Sequence, residues 1–393
     1  MTKVALTEGL FWVGAIDWNI RSFHGYHTPY GTTYNAYLIT DEKIALVDTV
    51  KGPFCGEMLQ RIEEIVEPKD IDYVISNHVE MDHSGSLPKI MEIARKAKLI
   101  TSERGKPGLL KHYKTDWPFV TVKQINNELD LGKRKLKFIE TPMLHWPDSM
   151  ATYIETDGIL LPNDAFGQHI ATSERFDDEV GLEVIIAEAA KYYANIVMPF
   201  GAIVQSTLEK LKDLKINMIG PSHGIIWRSH LQEIVNAYAK WTRGEAENKV
   251  LVIYDTMWGS TEMIAKALVD GLSSEDVKVI LFNLRFTDKT EIIKETLDAK
   301  ALLIGSPTLN VGMFPTVADF LTHLKGLKPK GKIGACFGSY GWGGGAVKAM
   351  NEELRQAGVE VLEADLDFKF VPEKEDLAKA VEFGKMIARK VRQ

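Results

Sequence analysis

At 393 residues, 45% of them hydrophobic and 26% charged, the chain is long enough for two domains with separate cores and too apolar to be disordered. Its 47 basic and 54 acidic residues leave a net charge of −7, which speaks against a nucleic-acid partner gripped through its phosphates. Two cysteines, Cys55 and Cys336, can build neither a disulfide framework nor a four-thiolate metal knot, so a reducing compartment is the natural home.

The opening stretch MTKVALTEGLFW lacks the layout of a secretion signal, and no uncharged apolar run approaches the roughly 18 residues that span a bilayer. A cytoplasmic protein without a membrane partner is expected. Helices are expected near Pro53–Val66 and Leu87–Ala97, and Asp157-Gly158 between MATYIET and ILLPND reads as a strand-turn-strand signal. The segment KWTRGEAENK (Lys240–Lys249) is polar, and the apolar run VLVIYD follows it directly, so the boundary between a domain 1–248 and a domain 249–393 is placed there. Beyond it, strand-like runs at Val250–Tyr254, Val277–Asn283, Ala301–Gly305, Lys332–Phe337 and Val359–Glu363 alternate with amphipathic segments. That rhythm implies a doubly wound parallel sheet of five strands, closed by a solvated helix at Lys374–Arg392.

The most informative stretch is DYVISNHVEMDHSGS (Asp72–Ser86): a strand ending near Ser76, then a loop with His78, Glu80, Asp82 and His83, then a helix cap at Ser86. Two imidazoles and two carboxylates within six positions are costly to hold together unless a cation neutralises them, so the cluster points to metal. Three more strand-like runs end in one ligand type each: His145 in KFIETPMLHWPD, Asp164 in ILLPNDAFG and His223 in INMIGPSHG. Taken singly, Asp164 also reads as a turn residue and His223 as an ordinary loop histidine.

In the second domain the loop Thr256-Met257-Trp258-Gly259-Ser260-Thr261 follows the first strand and leads into a helix beginning near Glu262. It carries hydroxyls and no Lys or Arg, which suits a phosphate monoester held by backbone N–H groups, hydroxyls and a helix N-terminus. The loops Ser306–Pro315, with Pro307, Thr308, Leu309, Asn310 and Gly312, and Gly338–Ala346, with Ser339, Tyr340, Gly341, Trp342 and Gly343, would meet it beside the switch point of the sheet. Trp258, Tyr340 and Trp342 are available to flank a flat ring. The run Gly341–Ala346 also fits the dinucleotide fingerprint G-x-G-x-x-A, with Glu363 and Asp365 downstream, but that fingerprint normally follows the first strand of its unit and this one follows the fourth.

The pattern H-x-E-x-D-H followed by a lone His, a lone Asp and a lone His resembles the two-metal site of the metallo-β-lactamase-like αββα sandwich. That resemblance assigns His78, Glu80 and His145 to one ion, Asp82, His83 and His223 to the other, and Asp164 to both. Glu80 stands where the zinc hydrolases of that fold carry a histidine. Two divalent ions then bring four positive charges against three carboxylates, and one bridging hydroxide cancels the remainder. The oxygen-enriched set favours a diiron centre over two zinc ions. The second domain resembles flavodoxin, whose ligand is FMN, with Trp258 replacing a threonine of the usual phosphate loop.

The two domains on one chain, together with VGAIDWN (Val13–Asn19), GTTYNAYL (Gly31–Leu38), HWPDSM (His145–Met150) and YYANIVMPF (Tyr192–Phe200), resemble the flavodiiron proteins, or A-type flavoproteins. The resemblance implies reduction of dioxygen to water, of nitric oxide to nitrous oxide, or of both, with FMN relaying electrons. It implies a head-to-tail homodimer, alone or paired into a tetramer, in which the flavin of one subunit serves the irons of the other. Two cysteines cannot build a rubredoxin centre, so the donor is expected to be external: rubredoxin or a reduced deazaflavin. The choice between the gases is expected to depend on residues around the metals such as His24, Tyr26 and His169. The alternative is a dizinc hydrolase with an attached flavodoxin module.

Overall fold

The structure, a computed structural model, describes residues 3–393. It divides into two compact units: one runs to Tyr192 and includes Ala202–Ala239, and the other comprises Tyr193–Gly201 and Lys240–Gln393.

Two large sheets, beside two small two-stranded ones, make up most of the first unit. One has seven strands in the order Val4–Thr7, Leu10–Trp12, Tyr37–Ile39, Ala45–Val47, Tyr73–Ser76, Lys98–Thr101 and Phe119–Thr121. The other has five, in the order Glu128–Asp130, Lys135–Glu140, Met150–Ile154, Ile159–Leu161 and Met218–Ile219. Side chains alternate across each strand, so Tyr37 and Ile39 join Leu136, Phe138, Ile154 and Ile159 in one buried cluster, while Leu38 and Leu46 of the same seven-stranded sheet face a second cluster with Met58, Leu87 and Ile90 of the helices. Burying each such side chain contributes about 1.5–3 kcal/mol before entropy is counted. Asp157-Gly158 does turn one strand into the next, with Gly158 at φ 68°.

The expected helix at Pro53–Val66 is a single turn of 3₁₀ helix at Gly52–Phe54 continuing as an α-helix at Cys55–Glu63, and that at Leu87–Ala97 stops at Ile93. Ser86 precedes the second helix without capping it, because its hydroxyl donates to the Val50 carbonyl instead. The loop read between His78 and Ser86 contains a one-turn helix, Met81–Ser84, whose turn places Asp82 and His83 together.

The second unit is a doubly wound parallel sheet. Its strands, in spatial order, are Lys278–Asn283, Glu247–Tyr254, Ala299–Pro307 and Ile333–Tyr340, followed by a fifth position. Each strand expected from the sequence is present. The central ones extend a few residues further, since backbone pairing continues past the apolar run that reveals them. The fifth position is the exception: instead of one strand at Val359–Glu363, two short strands, Glu360–Val361 and Asp367–Lys369, pair with successive parts of the same neighbour. The final helix spans Lys374–Arg392 and buries Ala380, Gly384, Ile387 and Ala388 against the unit's core while its charges stay outside.

Asp367 in the last short strand is the electrostatic misfit of this unit. Burial, and then the neighbouring charge of Asp365, push its carboxyl up to about 6 from the ordinary 3.8. The folded chain therefore holds this proton more tightly than the unfolded chain, and stability falls as pH rises through that window. Asp367→Asn should raise the thermal midpoint of this unit above the window and leave it unchanged below, as followed by thermal melts at the two pH values. An equal shift at both would refute the electrostatic cause.

Candidate functional site

The seven ligand-type residues meet at the loop ends of strands in the first unit. His78 leaves the strand Tyr73–Ser76, Asp164 follows Ile159–Leu161, and His223 follows Met218–Ile219, while His145 lies five residues beyond Lys135–Glu140. Two trios form: one donor atom each from His78, Glu80 and His145, and one each from Asp82, His83 and His223, all within 4.8 Å of one another in each trio. Asp164 stands between them. Its Oδ2 is 3.4 Å from His145 Nε2 and 3.9 Å from His78 Nε2, and its Oδ1 is 3.2 Å from His83 Nε2 and 3.5 Å from His223 Nε2. Within the trios, Glu80 Oε2 is 3.3 Å from His78 Nε2 and 3.6 Å from His145 Nε2, and Asp82 Oδ2 is 3.2 Å from His83 Nε2 and 3.1 Å from His223 Nε2.

These spacings fit a metal. Donors about 2.0–2.1 Å from one ion must stand about 2.9–3.4 Å from each other in tetrahedral or octahedral geometry, close to what these side chains adopt. Asp82 Oδ1, His83 Nε2 and Asp164 Oδ2 are buried without a hydrogen-bond partner, orphaned groups at the cage that a pair of cations would satisfy.

The electrostatics agree. Burial alone would lower the His78 imidazole, but its bonds to Asp148 and Glu80 and the charge of Asp164 prevail and carry it up to about 10. His83 is likewise penalised by burial and raised by Asp82 and Asp164 to about 9. For Asp164, burial is outweighed by the charge of His83 and the close approach of the His145 and His83 imidazoles, which hold the carboxyl well below the usual range. Asp82 is lowered against burial by His83 and His223. Metal binding would displace the imidazole protons and take over their balancing charge.

A surrounding layer fixes the donors. Asp148 Oδ2 lies 3.0 Å from His78 Nδ1 and accepts from the Val79 N–H at 2.8 Å, and the Thr33 carbonyl is 2.7 Å from His223 Nδ1. Both contacts leave the Nε2 atoms turned inward. Tyr192 and Ser222 donate to Asp164 Oδ1 at 3.0 and 2.9 Å. Burial and the Asp164 charge push the Tyr192 phenol well above its ordinary value, so it remains a donor. Asn163 and Phe166, on either side of Asp164, both adopt positive φ, of 59° and 67°, a conformation non-glycine residues rarely take and one that collects at functional sites.

Sequence reasoning missed Asp148 and Tyr192 as parts of this layer, since their partners lie 70 and 28 residues away in the chain. His24 stands at the mouth, 70% exposed, with Nδ1 3.4 Å from Glu80 Oε1. His169 is deeply buried, with Nδ1 2.8 Å from the Thr32 hydroxyl and its ring 5.0 Å from those of Tyr26 and His223. Burial, and then the neighbouring His223, hold it well below its ordinary value and hence neutral.

In the second unit, Thr256–Gly259 form the turn after Glu247–Tyr254, and the helix begins at Ser260, two residues earlier than expected. Gly259 sits at φ 92°, which a side chain would resist, and its N–H is tied to the Thr256 hydroxyl at 3.1 Å. The Thr261 and Ser339 hydroxyls are 2.9 Å apart, the Thr308 N–H donates to the Ser339 carbonyl, and the Ala346 N–H donates to the Thr308 hydroxyl. The three expected loops are thereby stitched together at the carboxyl end of the sheet, with Leu309 and Gly312 closing the middle one on itself. Trp258 and Trp342 are 91% and 99% exposed, so neither is a core residue and both are free to cover a ring. Glu363, which the dinucleotide reading needs for a ribose, is engaged with Arg355 and Asn351.

Residues 32–224 match the ODP family beta lactamase and residues 252–384 match flavodoxin. The nitric oxide reductase of Moorella thermoacetica is 50% identical, over 99% of this chain and 98% of that protein. Among solved structures, the rubredoxin oxygen:oxidoreductase of Desulfovibrio gigas superposes with a TM-score of 0.96 at 39% identity, covering 99% of this chain and 98% of the other.

The chain belongs to the flavodiiron family.

A flavodiiron protein of Giardia intestinalis matches with a TM-score of 0.94 at 36% identity, over 100% of this chain and 97% of that one. For this flavodiiron chain the likeness covers both units, which a hydrolase carrying an unrelated module would not require. Among the described residues no helix is long and apolar enough to cross a membrane.

Asp148 offers a test of the layer around the metals. Asp148→Ala should weaken divalent-metal binding by roughly 10–100-fold, the usual consequence of removing a histidine's outer partner, as measured by titrating the metal-free chain. Unchanged affinity would show that Asp148 does not orient His78.

Proposed function

We propose that this flavodiiron chain is an oxidoreductase that reduces dioxygen to water, nitric oxide to nitrous oxide, or both, at a diiron centre in its first unit, with FMN in the second unit relaying electrons. The observation that carries this reading is Asp164, which offers one carboxylate oxygen to each of two metal-type trios. The iron ions would be held by His78, Glu80 and His145 and by Asp82, His83 and His223, and FMN by the Thr256–Thr261 turn and the loops at Pro307–Gly312 and Ser339–Gly343. When bound, paired ferrous ions supply two electrons at once to a diatomic molecule, and FMN replaces them singly or in pairs.

The chain's own residues do the rest. Asp148 and the Thr33 carbonyl keep two imidazoles aimed inward, and Tyr192 and Ser222 hold the shared carboxylate so that both its oxygens serve the trios. Full burial of five of the seven ligand-type side chains and half-burial of Glu80 and His145 keep bulk water from competing, with Glu80 bordering the open mouth. In the second unit, backbone N–H groups at the start of the helix Ser260–Ser273 and the hydroxyls of Thr256, Ser260 and Thr261 suit a phosphate dianion without a basic side chain. Electrons would come from an external donor, rubredoxin or a reduced deazaflavin. The working unit on this reading is a head-to-tail homodimer, alone or paired into a tetramer, placing the flavin of one subunit against the irons of the other.

Anaerobic rapid mixing of reduced, iron- and FMN-loaded protein with each gas tests the activity directly: consumption of dioxygen or nitric oxide with oxidation of the flavin is expected, and inertness toward both would end the proposal. Asp164→Asn should lower iron content and gas consumption while flavin absorbance stays. Thr261→Val should do the reverse, weakening flavin retention and sparing iron. Equal loss of both cofactors in both variants would contradict two separable sites.

A further inference from the structure

Besides the three flavin-type loops of the second unit, a fourth reaches the phosphate-type turn: residues 284–288, after the strand Lys278–Asn283. Its Arg285 places Nε 2.7 Å from Asp255 Oδ1 and donates through Nη2 to the Thr256 carbonyl, also at 2.7 Å. The arginine is held in place in turn. The Leu284 N–H donates to the Tyr254 carbonyl, the Arg285 N–H donates to Asn283 Oδ1, and the guanidinium lies 5.5 Å from the centre of the Phe314 ring.

Asp255 is fully buried directly after the strand Glu247–Tyr254, at the foot of the turn. Its Oδ1 also accepts from the Thr256 N–H at 2.6 Å, and its Oδ2 from the Thr316 hydroxyl at 2.5 Å. Thr316 stands in the first turn of the helix Pro315–Leu327, which follows the middle loop. One carboxylate thus ties together segments that follow three neighbouring strands. The arrangement has an electrostatic cost, because a buried anion here repels the phosphate dianion the turn suits, and Thr256–Thr261 contains no Lys or Arg to offset it. Among the described residues Arg285 is the one cation paired with Asp255. Its planar fork spans the carboxylate and the Thr256 carbonyl at once.

We propose that Asp255 and Arg285 are a charge-compensated positioning pair for FMN: the carboxylate shapes the turn, and the guanidinium cancels its charge so that the turn accepts a phosphate dianion. The inference rests on the reading of this unit as the FMN carrier, and it adds a residue from outside the three flavin-type loops. Neither side chain needs to touch the flavin. Both act through Thr256, whose N–H faces the carboxylate and whose carbonyl faces the guanidinium. The N–H groups at the start of the helix Ser260–Ser273 are left to the ligand. Removing Arg285 alone would strand a buried charge, whereas removing both charges would not.

Titrating the flavin-free, full-length chain with FMN and with riboflavin, followed by quenching of flavin fluorescence, separates the phosphate from the ring. The native chain should bind FMN more tightly, and the ratio of the two dissociation constants measures what the phosphate contributes. Arg285→Gln should cut that ratio roughly tenfold, the scale of one uncompensated charge acting on a dianion, by weakening FMN while riboflavin changes little. Arg285→Lys keeps the charge and should stay near the native ratio, and Asp255→Asn combined with Arg285→Gln, which removes both charges, should recover most of it. Equal weakening of both flavins in Arg285→Gln would overturn the proposal. If that variant does not fold, the other two decide, since a ratio lost in either overturns it as well. A native chain that binds riboflavin as tightly as FMN would overturn the FMN reading and this pairing with it, whereas a preference for FMN that every variant keeps would overturn the pairing alone.

Discussion

Three carboxylates and four imidazoles, packed into one largely buried cage, impose the constraint on which the rest of the molecule depends. Glu80, Asp82 and Asp164 cannot share so small a volume at low dielectric unless positive charge lies among them. The raised imidazoles of His78 and His83 reveal that demand in the protein itself, because the carboxylates draw protons onto them against the pull of burial. Two divalent ions meet the same demand with fixed geometry, and Asp164, with one oxygen toward each trio, divides the cage into two halves.

The sandwich supplies this arrangement by bringing loop ends together. Strand pairing fixes where His78, Asp164 and His223 emerge, and the two sheets are clamped by a core that includes Tyr37, Phe138 and Ile154. The doubly wound unit uses the same device for different chemistry, with parallel strands delivering three loops to one edge and a helix N-terminus taking the place of basic side chains. One fold type thus concentrates negative side chains that call for cations, and the other concentrates backbone N–H groups that suit an anion.

Much of this was legible in the sequence because the informative residues are crowded: His78, Glu80, Asp82 and His83 fall within six consecutive positions, and the Gly- and hydroxyl-containing turn at Thr256–Thr261 directly follows an apolar strand. His145, Asp164 and His223 needed a family resemblance to join them, since a single histidine or aspartate in a loop carries little information. Asp148 and Tyr192 stayed hidden because the contacts that define them are tertiary. The divided fifth strand was misread because its apolar run at Val359–Glu363 looks continuous, whereas the chain leaves the sheet after Val361 and returns at Asp367. The helix does begin directly after Ser86 as expected, but the serine does not cap it, because its hydroxyl is spent on a distant carbonyl.

The most direct measurement is anomalous diffraction from crystals of natively produced protein, recorded on both sides of the iron absorption edge. The proposed diiron centre predicts two iron peaks, one among His78, Glu80 and His145 and one among Asp82, His83 and His223, with Asp164 between them. Zinc at both positions, a single peak, or no ordered metal within this cage would contradict it.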